Sequence, residues 1–236
     1  GIIMAESAFF SSLTHEGVLA ARGTDAGKFL QGQLTCNIQY LTGRASLGAR
    51  CTPKGRMQSS FRILPQGNGF LLALAAELVE PQLADLKKYA VFSRGTQLED
   101  ESARWARFGL QGGDAVLTKL GLALPADADA LVEAEELLAV RLPDGRAELW
   151  VPAERAEEIR ACLAEALPEA PLNDWLLAQV RAGIGQVFEA TRELFIPQMI
   201  NLQALDGVSF RKGCYTGQEI VARMQYLGRL KRRMYR

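Results

Sequence analysis

A short pattern occurs twice in this 236-residue sequence. Gly23-Thr24-Asp25-Ala26 is echoed by Gly112-Gly113-Asp114-Ala115, and Leu72–Leu83 is echoed by Leu149–Leu163. Each longer copy reads as a strand followed by a helix rich in Ala and Glu. The competing reading is coincidence between two common β-α patterns. If the repeat is real, two related β/α units share one globule. Antiparallel sheets covered by helices then make an α+β architecture.

The rest of the chain fits that frame. Val18–Ala21 is a strand, and Thr24 or Asp25 can cap a helix through Phe29–Leu34. Leu47–Arg50 and Met57–Leu64 are strands joined by the turn Thr52-Pro53-Lys54-Gly55. Gln66–Gly69 turns into a third strand, Phe70–Leu74. Glu77–Tyr89 is a helix with Pro81 near its start, where proline is tolerated. Trp105–Leu110 opens the second unit. Leu137–Leu142 and Ala147–Val151 form a hairpin around Pro143-Asp144-Gly145-Arg146, followed by a helix over Ala153–Ala166. Asp174–Ala182 is a helix with Trp175, Leu176 and Val180 inward, and Gln186–Ser209 reads as irregular. Trp105, Trp150 and Trp175 are core residues, and the single histidine, His15, is a surface residue.

Charge and cysteine usage narrow the chemistry. The chain has 27 basic and 27 acidic residues, but residues 223–236 hold six basic side chains and no acidic ones. That leaves 21 basic against 27 acidic elsewhere. The basic tail can meet RNA phosphates, though a solvated strand edge is the plainer reading. Cys36, Cys51, Cys162 and Cys214 lie far apart, with no CxxC pair, so no metal site is expected and the thiols are expected to be reduced. No signal peptide and no apolar run of bilayer length is seen, which points to a cytoplasmic protein without membrane contact.

The chemistry concentrates in Val208–Arg223, VSFRKGCYTGQEIVAR. Cys214 lies between Gly213 and Gly217, just after Arg211 and Lys212. Thr216-Gly217-Gln218-Glu219 reads as a capping box opening a helix with Ile220, Val221 and Met224 on one face. Two cations and a helix start each stabilise a thiolate. A small cysteine buried for packing is the alternative. By the same logic Cys51, beside Arg50, is the main rival thiol, and Cys162 is inert.

KGCYTGQE, with FIPQ at Phe195–Gln198 and NLQAL at Asn201–Leu205, resembles the signature of the YgfZ-type proteins. These are folate-binding relatives of the glycine-cleavage T-protein, an aminomethyltransferase. Gly23–Ala26 and Phe29–Thr35 resemble the N-terminal region of the same family. The resemblance implies interleaved α+β subdomains around a central folate cavity, approximately 1–45 with 105–185 and 46–104 with 186–236. The family usually continues into a C-terminal barrel, and with the chain stopping at Arg236 that barrel is expected to be absent. The resemblance makes Cys214 the functional cysteine with Lys212 beside it. It implies that Arg181, Gln198, Asn201, Tyr215, Gln218, Glu219 and Arg223 hold a tetrahydrofolate.

Two departures shape the functional expectation. T-proteins carry a Gly-x-x-Asp-Asp element, and the matching stretch here is Gly55-Arg56-Met57-Gln58-Ser59. A neutral amide or hydroxyl cannot replace an ionised carboxylate as general base. The family's Glu-Ala-Gly is matched by Arg181-Ala182-Gly183, and arginine has no acceptor for a pterin. The reading is therefore a folate-binding accessory protein for iron–sulfur protein maturation or repair and a linked tRNA modification. Its partners are then iron–sulfur clients. A folate-dependent aminomethyl or one-carbon transferase is one alternative, so enzyme activity stays open. An RNA-binding module is the other.

Overall fold

The computed structural model describes residues 7–181. In chain order the elements are β1 (Phe9–Ser12), β2 (Glu16–Arg22), α1 (Ala26–Gln33), β3 (Ser46–Cys51), β4 (Met57–Gln66), β5 (Gly69–Ala75), α2 (Ala76–Ala90), β6 (Gln97–Asp100), β7 (Trp105–Gln111), α3 (Asp114–Lys119), β8 (Leu131–Ala134), β9 (Leu137–Arg141), β10 (Ala147–Pro152), α4 (Ala156–Ala166) and α5 (Leu172–Arg181). The α+β expectation is met, with every strand pair antiparallel.

These elements divide between two compact units. Among the described residues, one takes 7–15, 43–45 and 101–181, and the other takes 16–42 and 46–100. The sequence places residues 16–42 with the 105–185 unit. The strand pairing moves them: β2 lies between β5 and β6, with Leu19 opposite Leu72 and Ala21 opposite Leu98.

In the first unit the sheet order is β1-β7-β10-β9-β8. Alternation decides which side chains face the helices. Phe10, Phe108, Leu110, Ala139 and Leu149 point to one face and pack with Val116 and Leu117 of α3 and Ile159 and Leu163 of α4. Each of the Phe, Leu, Ile and Val side chains contributes about 1.5–3 kcal/mol by leaving water. The opposite face carries Arg107, Glu148 and Trp150, all buried. Arg107 Nη2 lies 2.6 Å from Glu148 Oε1, and the Trp150 indole donates to the same oxygen at 3.2 Å.

In the second unit the order is β3-β4-β5-β2-β6. Set beside the first, it shows the repeat. β2-α1-β3-β4-β5-α2-β6 matches β7-α3-β8-β9-β10-α4, with β1 in the place of β6. The two Gly-x-Asp-Ala stretches turn a strand into a helix at equivalent places. Gly23 has φ 112° and Gly112 has φ 66°, a left-handed backbone that glycine adopts without steric cost.

Several local expectations are corrected. Asp25 sits at the N-cap of α1 but makes no capping bond; its carboxylate accepts from the Gly95 amide at 3.2 Å. Pro81 is the sixth residue of α2 rather than part of its first turn, so one helical hydrogen bond is forfeited there. Val180 is 71% exposed, whereas Trp175 is buried at 1%. His15 is half-buried, with both ring nitrogens out of solvent. No described helix is long and apolar enough to cross a membrane.

Candidate functional site

Eight of the nine site residues expected from the sequence, Lys212, Cys214, Gln198, Asn201, Tyr215, Gln218, Glu219 and Arg223, lie outside the described residues. The ninth, Arg181, is the last residue of α5 and is exposed. It lines a cavity of about 580 Å³ in the first unit, a volume suited to a drug-sized ligand. Phe9, Pro168, Ala170, Leu177 and Ala178 supply apolar lining, and Asp144, Arg146, Asp174 and Arg181 supply charge.

The sequence builds this cavity from a helix laid on a sheet. Trp175 of α5 lies against Gly109 of β7, where a Cβ would meet the indole at 2.6 Å. Only a residue without a side chain lets the ring approach so closely. Arg146 stacks over the other side of the arrangement, its guanidinium carbon 4.0 Å from the Trp175 ring centre. Arg146 Nε also donates to Asp144 at 2.6 Å, so that carboxylate is committed to the fold. Asp174 and Arg181 stand seven residues apart on α5, two helical turns, and both line the cavity. An acceptor and a bidentate donor thus face one space with an apolar wall between them. The Trp175–Gly109–Arg146 assembly was not anticipated from sequence, because it brings to Trp175 residues 29 and 66 positions away through tertiary contact alone.

The second unit contains the Gly55–Ser59 stretch that the resemblance matches to the T-protein's Gly-x-x-Asp-Asp element. Arg50 pairs with Ser59 and Cys51 with Met57, so Gln58 is the extra residue of a β-bulge. Bulges re-aim side chains, and they gather near functional sites. Gln58 lines a small cavity of about 30 Å³ with Arg50, Cys51, Asp85 and Tyr89 among others. Ser59 Oγ donates to Gln82 Oε1 at 3.3 Å. The carboxylate in this cavity is Asp85, and Arg50 Nη1 holds it at 2.6 Å.

The rival thiol is removed by the same geometry. Cys51 is 7% exposed, and burial pushes its pKa up to about 12. The cation beside it in sequence, Arg50, is turned to Asp85 and Gln82. Cys36 is buried and Cys162 is half-buried on α4; none of these three described cysteines forms a disulfide. Among the described residues no group of three or more His, Cys, Asp or Glu side chains could hold a metal.

The fold is that of the aminomethyltransferases of glycine cleavage. The glycine cleavage system aminomethyltransferase T from Bartonella henselae superposes with a TM-score of 0.76 over 94% of this chain and 64% of that one, at 16% identity. No family model matches the chain. Curated relatives decide the family: a protein from Photorhabdus laumondii named tRNA-modifying protein YgfZ is 40% identical over 229 residues, covering 95% of this chain and 69% of its own. Proteins of the same name from Serratia proteamaculans and Photobacterium profundum are 39% and 38% identical over 232 and 223 residues. They are covered over 69% and 66% of their lengths, so the chain spans about two thirds of these relatives. The chain belongs to the YgfZ family of tRNA-modifying proteins.

Proposed function

We propose that the chain binds a reduced folate and serves as an accessory protein in tRNA modification, through the upkeep of iron–sulfur enzymes, without transferring an aminomethyl group. The observation that carries this reading is the aminomethyltransferase-like fold with Gln58 and Ser59 where the resemblance places the working carboxylates. Asp85 does not substitute for them as a free base, because Arg50 holds it. A base must be free to reach the proton it removes, and the Arg50 guanidinium already occupies this carboxylate. Folate would supply the one-carbon chemistry or its sensing; the chain supplies the pocket.

Arg181 and Asp174 support the folate assignment in a revised form. In this reading Arg181 pairs with the glutamyl carboxylates of the ligand, where its fork of donors is suited, and Asp174 accepts from the aminopyrimidine ring. The apolar lining from Phe9, Leu177 and Pro168 takes the flat middle. Cys214 and Lys212 act as the working thiol and its neighbouring cation, and Gln198, Asn201, Tyr215, Gln218, Glu219 and Arg223 complete the ligand contacts. Iron–sulfur proteins are the clients, and a cytoplasmic location follows from that role.

The experiment is calorimetry with tetrahydrofolate next to a formaldehyde-release assay for aminomethyl turnover. Saturable heat and no turnover are expected. Arg181→Ala and Asp174→Asn should each weaken binding about tenfold, as loss of a charged hydrogen bond implies. Turnover at a T-protein-like rate would return the chain to the transferases, and absence of heat at millimolar ligand would remove the folate.

A further inference from the structure

The surface around the end of α2 points to a partner that the folate reading does not require. The helix ends in Lys87-Lys88-Tyr89-Ala90 and runs into Val91-Phe92-Ser93-Arg94-Gly95. Tyr89 is 55% exposed, Val91 65% and Phe92 93%. Lys87, Lys88 and Arg94 are exposed beside them.

This exposure is built in. The Ser93 amide donates to the Ala90 carbonyl at 2.9 Å and the Thr96 amide to Ser93 at 3.0 Å. The Ser93 and Thr96 hydroxyls meet at 2.6 Å. Gly95 is then clamped from both sides by Asp25: the Asp25 amide donates to its carbonyl at 3.1 Å, and its own amide donates to the Asp25 carboxylate at 3.2 Å. A loop so fastened holds Phe92 in water rather than letting it fold back. The Thr52–Arg56 turn adds two exposed cations, Lys54 and Arg56, on a loop whose Thr52 and Pro53 line the same small cavity as Tyr89. The acidic residue of that cavity, Asp85, is held by Arg50 at 2.6 Å, and its other oxygen lies 3.9 Å from Lys88 Nζ, an exposed ion pair that a phosphate can replace.

We propose that this patch docks single-stranded or loop RNA. Cations for phosphates, interleaved with exposed aromatic rings for base stacking, are the components of sequence-tolerant RNA binding. A bilayer is less well matched: among the described residues the loop tip presents two apolar side chains, Val91 and Phe92, whereas interfacial anchors present a broad apolar face. Any RNA affinity contributed by the basic segment 223–236 would not depend on Phe92, Lys87 or Lys88, so variants within the patch distinguish the two.

The test uses the full 236-residue chain and a fluorescein-labelled, unstructured RNA of roughly 12 nucleotides, a site size usual for stacking surfaces. Anisotropy titrations run from about 50 to 200 mM salt. Phe92→Ala is expected to weaken binding about fivefold or more, as loss of one base stack implies. Lys87→Gln with Lys88→Gln should lower the slope of log affinity against log salt by about 1.4, two single-strand phosphates. Phe92→Leu, which keeps an apolar side chain but not the ring, should resemble Phe92→Ala. Unchanged melting curves certify the fold of each variant. Affinity and slope unaltered by all three changes overturn the proposal. So does absent RNA binding by the wild-type chain accompanied by Phe92-dependent binding to phosphatidylserine vesicles. Tetrahydrofolate calorimetry on the same variants separates the two readings: RNA binding lost with folate heat intact leaves the folate pocket standing, and the reverse leaves the RNA patch standing.

Discussion

Two side chains show how little sequence adjacency says about chemistry. Cys51 has an arginine next to it and looks activated, yet Arg50 turns to Asp85 and the thiol is buried. With a pKa of about 12 against an ordinary value near 9, the thiol stays protonated in the fold while the unfolded chain ionises. Below about pH 9 it adds no pH dependence. Between about 9 and 12 it lowers stability by about 1.4 kcal/mol per pH unit, because only the unfolded state gains by losing the proton. Urea titrations of wild type and Cys51→Ala across pH 8–11 should therefore converge as pH rises. Parallel curves would show that the thiol ionises in place. Gly109 makes the complementary point. Its sequence context reads as an ordinary strand position, and the glycine becomes meaningful only when Trp175 is laid upon it. Gly109→Ala should destabilise by about 1–3 kcal/mol through overpacking. It should also weaken folate binding, since Trp175 anchors the helix bearing Asp174 and Arg181. Folate affinity unchanged in a folded Gly109→Ala protein would detach that cavity from the ligand.

Turns were the most legible elements and bulges the least. The Thr52–Gly55 turn follows from Pro53 and Gly55 and closes with the Gly55 amide on the Thr52 carbonyl at 2.8 Å. The Pro143–Arg146 turn likewise ends on a glycine, Gly145, with φ 91°. The β-bulge at Gln58 escapes such reading because it is a mismatch between two strands, and the partner strand decides it. Val180 was misplaced for a related reason. Helical spacing groups the apolar residues of α5 but cannot say which edge of the stripe meets the sheet. One turn defies local preference altogether: β8 and β9 are joined by Glu135 and Glu136, with φ 50° and 74°. Two-residue hairpins with this backbone favour Asn-Gly, and a left-handed conformation costs other residues about 1–2 kcal/mol each. Glu135→Asn with Glu136→Gly should raise stability by about 1 kcal/mol or more, read as a higher denaturant midpoint at constant slope. A lower midpoint would mean that the glutamates hold the turn by contacts of their own.

The repeat was visible in the whole molecule before any strand was paired, but the division of strands between sheets was not. β1, β2 and β7 are all short apolar runs, and nothing local tells β2 to join β5 rather than β7. Pairing settles it, with Phe10 opposite Leu110 and Leu19 opposite Leu72. The first unit thus lacks an edge strand until β1 supplies it, which gives a direct test. A fragment of residues 101–181 should show no cooperative melt, because the β7 edge and the core around Phe108 are left open. Residues 7–15 joined to it through a short Gly-Ser linker should restore the transition. A cooperative melt of the bare fragment would show β1 to be dispensable. The borrowed strand also has a temporal side. The described strands of the second unit lie within residues 16–100, so that sheet can close while the chain is still being made. Phe9 and Phe10 of β1 precede those strands in the chain and wait for β7 to follow. At about 5–20 residues per second of synthesis the wait is about 5–20 seconds, long enough for a nascent-chain chaperone to find them. The need for such help is thus set by the distance along the chain between one four-residue strand and its partner.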